Sequence, residues 1–327
     1  MKRAALGAAA LVVLAGCQSS SRPHATATTT TNARPTTTVA AAPPKWRQGP
    51  KLPTAVSEVG VAADGHLIHV LGGYLGGRPH SRTHLVFDTT TSTWRLAAAL
   101  PVALDHIGVG AIGGVVYAAG GYGNNGGPNS ALYAYDAAKD AWTTRAPLPT
   151  PRAAPVAVVL AGKLHIFGGI GLGCDVAEHD VYDPATNKWS QAAPLFTARD
   201  HAAGAVVDGK IYVSGGRPRS LSSTEIYDPA TNTWTHGPAL PLARSSIAGA
   251  AFGHEFLVIG GEDSAERAVY TEVDALDTTT NTWRVFASLP AGRQGIGAVT
   301  IEGRVYVPGG GPSGGGSQQT VDMFELA

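Results

Sequence analysis

Cysteine, charged residues and helical periodicity are all scarce in this 327-residue chain. It has two cysteines, Cys17 and Cys174, and only 15% of its residues are charged. Basic residues never cluster, and after the first 45 residues 19 basic side chains are outnumbered by 24 acidic ones, a net charge of −5. That balance argues against nucleic-acid binding, which needs a basic surface. No glycine-rich loop opens a helix, so a dinucleotide-binding fingerprint is excluded as well.

The chain consists instead of short apolar, β-branched runs separated by turns. In the stretch 149–195, Val156–Leu160 and Leu164–Phe167 are two such runs, joined by a tight turn. Val181–Asp183 follows as a third run, and Asp-Pro and Thr-Asn turn residues lead to a fourth that begins at Trp189. Runs of this length without a 3.6-residue period predict an antiparallel meander of four strands.

This unit recurs six times, marked by a tryptophan and a Gly-Gly pair. Each tryptophan stands 26 positions before the first glycine of a pair, which gives a repeat of about 48 residues. The tryptophans are Trp46, Trp94, Trp142, Trp189, Trp234 and Trp283, and the pairs start at Gly72, Gly120, Gly168, Gly215, Gly260 and Gly309. Seven positions before the last five tryptophans stand Phe87, Tyr135, Tyr182, Tyr227 and Leu276. One meander cannot bury both faces, so the copies must stack, with the aromatic pairs between neighbours.

A hydrophobic run, Gly-Gly, Tyr-Asp and Trp at fixed spacing resemble the kelch repeat, over residues 46–327. The resemblance implies an all-β, six-bladed β-propeller formed by residues 45–327. The sixth unit stops at Ala327 without a tryptophan, whereas Trp46 precedes the first complete unit. We therefore expect the N-terminal strand to complete the last blade and close the ring.

The first 44 residues have the composition of an export signal followed by a tether. Lys2-Arg3 and the apolar run Ala4–Leu14 are typical of a signal peptide at 1–16 and are too short to cross a membrane as a helix. Leu14–Cys17 then resembles the bacterial lipobox, which predicts lipidation of Cys17 and anchoring to the outer face of a bacterial membrane. Residues 17–44 are rich in Thr, Ala and Pro, which predicts a disordered tether.

Loops between strands two and three, and between strands four and one, must share one end of the propeller. Length variation between units falls in the loops between strands two and three, and variable loops on a constant scaffold commonly carry function. Two aligned positions of the repeat stand side by side: the first holds an arginine in four units, and the next holds Asp105, Asp200, Ser245 or Gln294 in four units. In kelch proteins that bind peptides, two similar positions line the channel mouth and contact the ligand. The resemblance therefore implies a ligand site with an arc of arginines suited to anionic groups. The predicted ligand-binding residues are Arg152, Arg199, Arg244, Arg293, Asp105, Asp200, His106, His201, Ser245 and Gln294.

These features predict a monomeric binding or scaffolding module of the cell envelope. Its ligand would be a protein, peptide or glycan, with anionic groups favoured, and we expect no cofactor and no metal. The isolated thiol of Cys174 is expected to be inert, and His80 and His84 form a weak metal pair at best. A purely structural envelope protein would show no ligand at the channel mouth.

An exported sugar-modifying enzyme is the main alternative. Some bacterial exported kelch proteins are sialic acid mutarotases (epimerases), and this reaction needs acid and base groups with an anion-binding arginine. Glu58, Asp105, His106, Asp200 or His201 can supply the acid and base. Copper chemistry of the galactose oxidase kind is disfavoured, because no Tyr/His/Cys set is evident at convergent positions of the repeat.

Overall fold

The computed structural model describes residues 44–76, 79–124, 126–263, 265, 268–314 and 318–326. They belong to one compact unit, Pro43–Ala327. The predicted signal peptide, Cys17 and the tether up to residue 43 lie outside the described residues, so those expectations stay predictions. Within the described ranges, no helix is long and apolar enough to cross a membrane.

Six antiparallel sheets of four strands, the blades, contain 24 of the 28 described strands. The N-terminal strand is β1 (Trp46–Gln48). Blade one comprises β2 (Gly60–Asp64), β3 (Leu67–Leu71), β4 (His84–Asp88) and β5 (Thr93–Leu96). Next in the chain come β6 (Leu104–Asp105), β7 (Gly108–Ile112), β8 (Val115–Ala119), β9 (Tyr122–Gly123), β10 (Leu132–Asp136) and β11 (Ala141–Arg145). Blade two is formed by β7, β8, β10 and β11, whereas β6 pairs with β9 outside it.

The remaining blades repeat this order. Blade three comprises β12 (Val156–Leu160), β13 (Lys163–Phe167), β14 (His179–Asp183) and β15 (Lys188–Ala192). Blade four comprises β16 (Ala203–Val207), β17 (Lys210–Ser214), β18 (Thr224–Asp228) and β19 (Thr233–Gly237). Then follow β20 (Ala248–Phe252), β21 (Glu255–Ile259), β22 (Glu262–Asp263), β23 (Ala268–Val269), β24 (Val273–Asp277) and β25 (Thr282–Val285). Last come β26 (Val299–Ile301), β27 (Arg304–Pro308) and β28 (Met323–Leu326). Blade five is β20, β21, β24 and β25, blade six is β26, β27, β28 and β1, and β22 pairs with β23 separately.

Apolar side chains pack between the blades, with the first strand of each blade next to the propeller axis. Six buried apolar clusters are described, and each joins two neighbouring blades. Between blades three and four, for example, Phe167 contacts Trp234 with ring centroids 5.5 Å apart. Each interface therefore buries the face that a single meander would leave in water.

The spacing of the tryptophans has a direct structural cause. Every tryptophan donates its indole N–H to a backbone carbonyl of the preceding blade connection, at 2.6–3.1 Å. The acceptors are the carbonyl oxygens of Ala287, Pro50, Ala98, Ala146, Ala193 and Pro238. Since the same bond recurs at all six interfaces, the tryptophan cannot shift along the repeat without leaving its indole N–H unpaired.

The Gly-Gly pairs stand where neighbouring backbones approach most closely. Gly168 and Gly169 have φ values of +63° and +101°, a region that L side chains rarely adopt. A Cβ on Gly168 would lie 2.4 Å from the carbonyl oxygen of Arg199, and one on Gly169 would lie 2.8 Å from that of Ala153. Glycine is therefore required by both the conformation and the space.

The N-terminal strand closes the ring, as the sequence predicted. Strand β1 pairs antiparallel with β28, placing Trp46 opposite Leu326. Arg47 adds an ion pair to Glu325 at 2.6 Å. The described residues thus form a six-bladed propeller in which both ends of the domain share the last blade.

Candidate functional site

Six residues in the left-handed conformation close one end of the propeller axis. Each stands two positions before the first strand of its blade, or four positions before it in blade six, and their φ values lie between +49° and +60°. The backbone N–H of each donates to the carbonyl of its counterpart in the preceding blade, at 2.7–3.3 Å, so that six hydrogen bonds form a closed circle. We call these residues the axial ring: Glu58, His106, Ala154, His201, Ser246 and Gly295.

Three ring residues carry large polar side chains, and we call Glu58, His106 and His201 the axial cluster. Nε2 of His106 lies 3.3 Å from Oε2 of Glu58, and the two imidazole rings stand edge to face with centroids 4.8 Å apart. One candidate ligand atom from each residue lies within 4.8 Å of the other two, which is close enough to hold a metal ion. Gly295 makes room for this arrangement, because a Cβ there would lie 2.6 Å from the Glu58 carboxyl group.

Each histidine of the axial cluster is oriented by the aspartate that precedes it. Nδ1 of His106 hydrogen-bonds Asp105, and Nδ1 of His201 hydrogen-bonds Asp200. Both aspartates are buried, and Asp105 also pairs with Nδ1 of His80. The remaining ring nitrogen, Nε2, is therefore the one left for other partners on each histidine.

A second tier of residues surrounds the axial ring at the same end. The residue after each Gly-Gly pair forms one antiparallel β-bridge with the residue that precedes the ring position of its blade. These six residues are Tyr74, Tyr122, Ile170, Arg217, Glu262 and Gly311. Together with the axial ring they form what we call the channel mouth. The bridges confirm that the two kinds of loop share one end of the propeller.

Aromatic and charged side chains of this second tier stand beside the axial cluster. The rings of Tyr74 and Tyr122 lie 5.6 and 5.5 Å from that of His106, both edge to face. Nη2 of Arg217 donates to Oε1 of Glu262 at 2.7 Å and to the Ser246 hydroxyl at 3.2 Å. The channel mouth therefore combines aromatic faces with a balanced guanidinium–carboxylate pair.

The two histidines of the axial cluster have opposite protonation tendencies. Burial lowers the pKa of His106, but the carboxylates of Glu58 and Asp105 more than offset burial, so its pKa is raised. Burial and the positive charge of Arg217 lower the pKa of His201 well below its ordinary value. Neighbouring imidazoles with pKa values pushed apart are typical of functional sites.

A third titratable group, Asp175, lies near the same cluster. A side-chain hydrogen bond with Asp200, followed by burial and the Asp200 charge, raises the pKa of Asp175 to about 7. Burial, followed by the charges of Asp200 and Asp105, also raises the pKa of Tyr122. Asp175 can therefore gain or lose a proton near neutral pH beside the channel mouth.

Below the axial ring the channel contains two adjoining cavities. The cavity next to the ring has a volume of about 140 Å³ and is lined by the axial cluster, Ser246 and residues in and just before the first strands. The second has a volume of about 290 Å³ and is lined by the first strands farther along the axis. Gly204 and Gly249 bring two strands so close that a Cβ on Gly249 would lie 2.5 Å from the Gly204 carbonyl oxygen. Sites for small molecules usually measure about 300–1,000 Å³, and the second cavity lies close to the lower end of that range.

The four arginines predicted to line the channel mouth lie inside the blades instead. All are buried, and each pairs with a carboxylate of its own blade at 2.5–2.7 Å. The pairs are Arg152–Asp180, Arg199–Glu225, Arg244–Asp274 and Arg293–Asp322. Most of their further donors bind backbone carbonyls or hydroxyl groups, for example Arg199 Nη1 to Gly215 O at 3.0 Å. The structure therefore has buried ion pairs inside the blades where an arc of arginines at the channel mouth was predicted.

The chain contains its own comparison for these pairs. Blades one and two carry Val56 and Leu104 at the arginine position, where the carbonyl accepts the same hydrogen bond from a Gly-Gly pair. In blades three to five the acid lies on the third strand, two positions before the residue that faces the tryptophan. Blades one and two carry Leu85 and Tyr133 at that position. In blades one to five, arginine and acid are thus present together or absent together, which is the pattern of a structural pair. In blade six the aligned position holds Phe324, and Arg293 pairs instead with Asp322, two positions earlier.

Of the other predicted residues, the structure places two in the axial cluster. His106 and His201 belong to the axial cluster, and Asp105 and Asp200 lie buried behind them as hydrogen-bond partners. Ser245 and Gln294 are fully buried, and Ser245 Oγ and Gln294 Oε1 have no hydrogen-bond partner among the described residues. Whether any of these residues binds a ligand stays a prediction.

Sequence reasoning missed the second tier as a group. The signal that could have found it is its place directly after each Gly-Gly pair, which is as regular as the tryptophan spacing. His84, considered above with His80 as a metal pair, is buried and hydrogen-bonds His69 at 2.9 Å, whereas His80 pairs with Asp105. The two histidines of that sequence pair therefore have separate partners.

Comparison with known proteins agrees with the geometry of the fold. Residues 58–261 match the family described as the KLHDC2/KLHL20/DRC7 Kelch-repeats domain, and residues 243–290 match the Kelch motif. A solved structure described as that of YjhT is similar with a TM-score of 0.74 and 17% sequence identity, covering 84% of this chain and 95% of that one. No curated protein matches the chain. At this identity the structural likeness supports the fold alone.

Proposed function

This chain belongs to the kelch-repeat family of β-propellers, and we propose that it is a binding module whose channel mouth recognises a peptide, protein or glycan. The observation that carries this proposal is the second tier, which places Tyr74 and Tyr122 beside a polar axial cluster. Aromatic faces next to hydrogen-bonding groups suit sugar rings and peptide side chains. Architecture alone does not require them, because Ile170 and Gly311 occupy the same tier.

Charge at the channel mouth favours a ligand that donates hydrogen bonds. Glu58 and Glu262 contribute carboxyl groups there, with Asp105 and Asp200 buried directly behind the axial histidines, and Arg217 is already paired with Glu262. The preference for anionic ligands expected from sequence rested on four arginines that are buried. We therefore propose hydroxyl-bearing or amine-bearing groups as the part of the ligand that reaches the axial cluster.

A sugar-modifying enzyme of the mutarotase (epimerase) type is the second candidate. The observation that favours it is Asp175, whose pKa is raised to about 7 by its hydrogen bond with Asp200 and by burial. A carboxyl group with this pKa can donate and accept protons at neutral pH. His106 and Glu58, 3.3 Å apart, can supply a complementary base and acid.

We also propose that the propeller is displayed outside the cytoplasm as a monomer. The basis is the sequence of residues 1–17, with its charged start, short apolar run and Leu-Ala-Gly-Cys lipobox. Lipidation of Cys17 would anchor the chain to the membrane. Labelling with a radioactive fatty acid, abolished by Cys17→Ser, tests this part.

A thermal-shift screen tests the binding proposal. Residues 43–327 are heated with neutral and amino sugars, cell-wall fragments and basic or hydroxyl-rich peptides. A ligand at 100 times its Kd should stabilise the fold by about 2.7 kcal/mol. Tyr74→Ala with Tyr122→Ala should abolish the shift, whereas His254→Ala, an exposed histidine on a turn between the first two strands of blade five, should not.

The screen also separates the two candidates. Any sugar that stabilises the domain is then examined for anomer exchange by proton NMR. Exchange that is accelerated by the wild type and lost in Asp175→Asn would favour the enzyme. A stabilising ligand without exchange supports the binding module. If the tyrosine variants bind every ligand like the wild type, the channel mouth is not the binding site.

A further inference from the structure

We propose that the axial cluster binds a divalent transition-metal ion of the zinc type, with Glu58, His106 and His201 as ligands. Two imidazoles and one carboxylate are a ligand set suited to Zn²⁺ and its first-row neighbours. Three protein ligands leave one position open, which water or an oxygen atom of a ligand can take. This site stands on its own residues and does not depend on the proposed function.

The spacing of the donor atoms fits such an ion. Two ligands of a tetrahedral Zn²⁺, each at about 2.0–2.1 Å, stand about 3.4 Å apart. Nε2 of His106 and Oε2 of Glu58 are separated by 3.3 Å, and no pair in the axial cluster exceeds 4.8 Å. Metal binding would therefore require the widest possible distance between two donor atoms to shorten by about 1.4 Å. Rotation of the side chains on the rigid backbone ring can supply this change.

Hydrogen bonds to the outer nitrogens have the form found around metal-bound histidines. A ligating histidine usually donates its other ring N–H to a carboxylate, which determines its tautomer and orientation. His106 and His201 both do so through Nδ1, to Asp105 and Asp200. His80 holds Asp105 in turn. Because both histidines use Nδ1 to bind a carboxylate, both Nε2 atoms are candidate metal ligands.

The fold does not need these side chains for its own stability. Ala154, Ser246 and Gly295 occupy the same ring position in the other three blades with the same backbone conformation and hydrogen bonds. Ring closure therefore requires only the backbone, and a glutamate with two histidines is unexplained by architecture. Glu58 is buried beside His106, where a bound cation would compensate its charge.

Metal titration of the full-length chain, stripped with a chelator, tests this inference. Co²⁺ serves as a spectroscopic probe and Zn²⁺ as the calorimetric ligand. We expect one equivalent of each ion, with visible absorption typical of four-coordinate Co²⁺. His106→Ala and His201→Ala should weaken Zn²⁺ binding more than about 100-fold, and Asp200→Asn should weaken it about 10- to 100-fold.

Controls keep the result independent of folding and of the proposed ligand. The His→Ala changes create the residue that Ala154 already provides at this position, and circular dichroism checks the fold. His254→Ala, an exposed histidine paired with Asp208, should leave binding unchanged. Absence of Co²⁺ absorption in the wild type, or unchanged Zn²⁺ affinity in both axial variants, would overturn the proposal. Repeating the ligand screen with chelator present tests ligand binding in the absence of metal, so that the two proposals can fail independently.

Discussion

Removing Arg152 alone should destabilise the propeller far more than removing it together with Asp180. Both side chains are only 1% exposed, and Arg152 Nη2 donates to Asp180 Oδ2. Arg152→Leu leaves this carboxylate buried without its counter-charge. Breaking a buried ion pair from one side costs about 3–5 kcal/mol, and we expect a loss of that size at pH 7. The Glu178 carbonyl, which also accepts from Arg152, keeps its hydrogen bond from Gly168.

Two other blades show how the loss can be compensated. Blade one has Val56 and Leu85 at these positions, and blade two has Leu104 and Tyr133. Arg152→Leu with Asp180→Leu therefore reproduces an uncharged arrangement that the fold already accepts. Replacing a buried pair by apolar residues is often neutral, so the double variant should lie within about 1 kcal/mol of the wild type.

Urea unfolding of the wild type, both single variants and the double variant measures the coupling. We expect a coupling free energy of at least about 3 kcal/mol at constant m-value. Burial already raises the pKa of Asp180 despite the opposing charge of Arg152. In Arg152→Leu this carboxyl should take up a proton as the pH falls, so the deficit relative to wild type should shrink below pH 7. Additive losses in the double variant, or a deficit independent of pH, would refute the reasoning.

Two further predictions concern stability. Burial is the main cause that lowers the pKa of His69 and His179 to about 3 and of His84 and His165 to about 4. Below about pH 6.5 these histidines take up protons in the unfolded chain but not in the folded one. The free energy of unfolding should therefore keep its full value above pH 6.5 and fall as the pH is lowered towards 4. The fall is up to about 1.4 kcal/mol per pH unit for each histidine. Urea midpoints at pH 7.5 and 5 measure this, and equal midpoints would contradict it. Deleting residues 44–50, which contain β1, should lower the Tm far more than deleting 20–40, and equal Tm values would disprove the role of β1 in closure.

Local pattern was enough to predict the scaffold. The interval of 26 residues between Trp142 and Gly168 reflects an interface that recurs six times, with the indole N–H bound to a carbonyl of the preceding blade. The same reasoning predicted the closure by Trp46, because a repeat that lacks its last strand must take it from the other end. Such features depend on short-range spacing that every copy repeats.

The arginine column shows where this reasoning failed. Its regular position and the resemblance to peptide-binding kelch proteins indicated the channel mouth, whereas Arg199 is fully buried against Glu225. The acid stands 26 positions later on the third strand, and its pairing becomes visible only when the two strands lie in one blade. Correlation between the arginine and acid positions across blades one to five was the available signal.

The sequence by itself determined the number of blades, the strand order and the residues that separate them. Those properties follow from a repeated pattern of burial, turns and glycines, and each copy carries the complete information. Only the tertiary structure decided which polar side chains meet at the axis. Glu58, His106 and His201 come from three different blades and are 48 and 95 positions apart. Their separation of 4.8 Å or less arises from closure of the ring, which no single repeat contains.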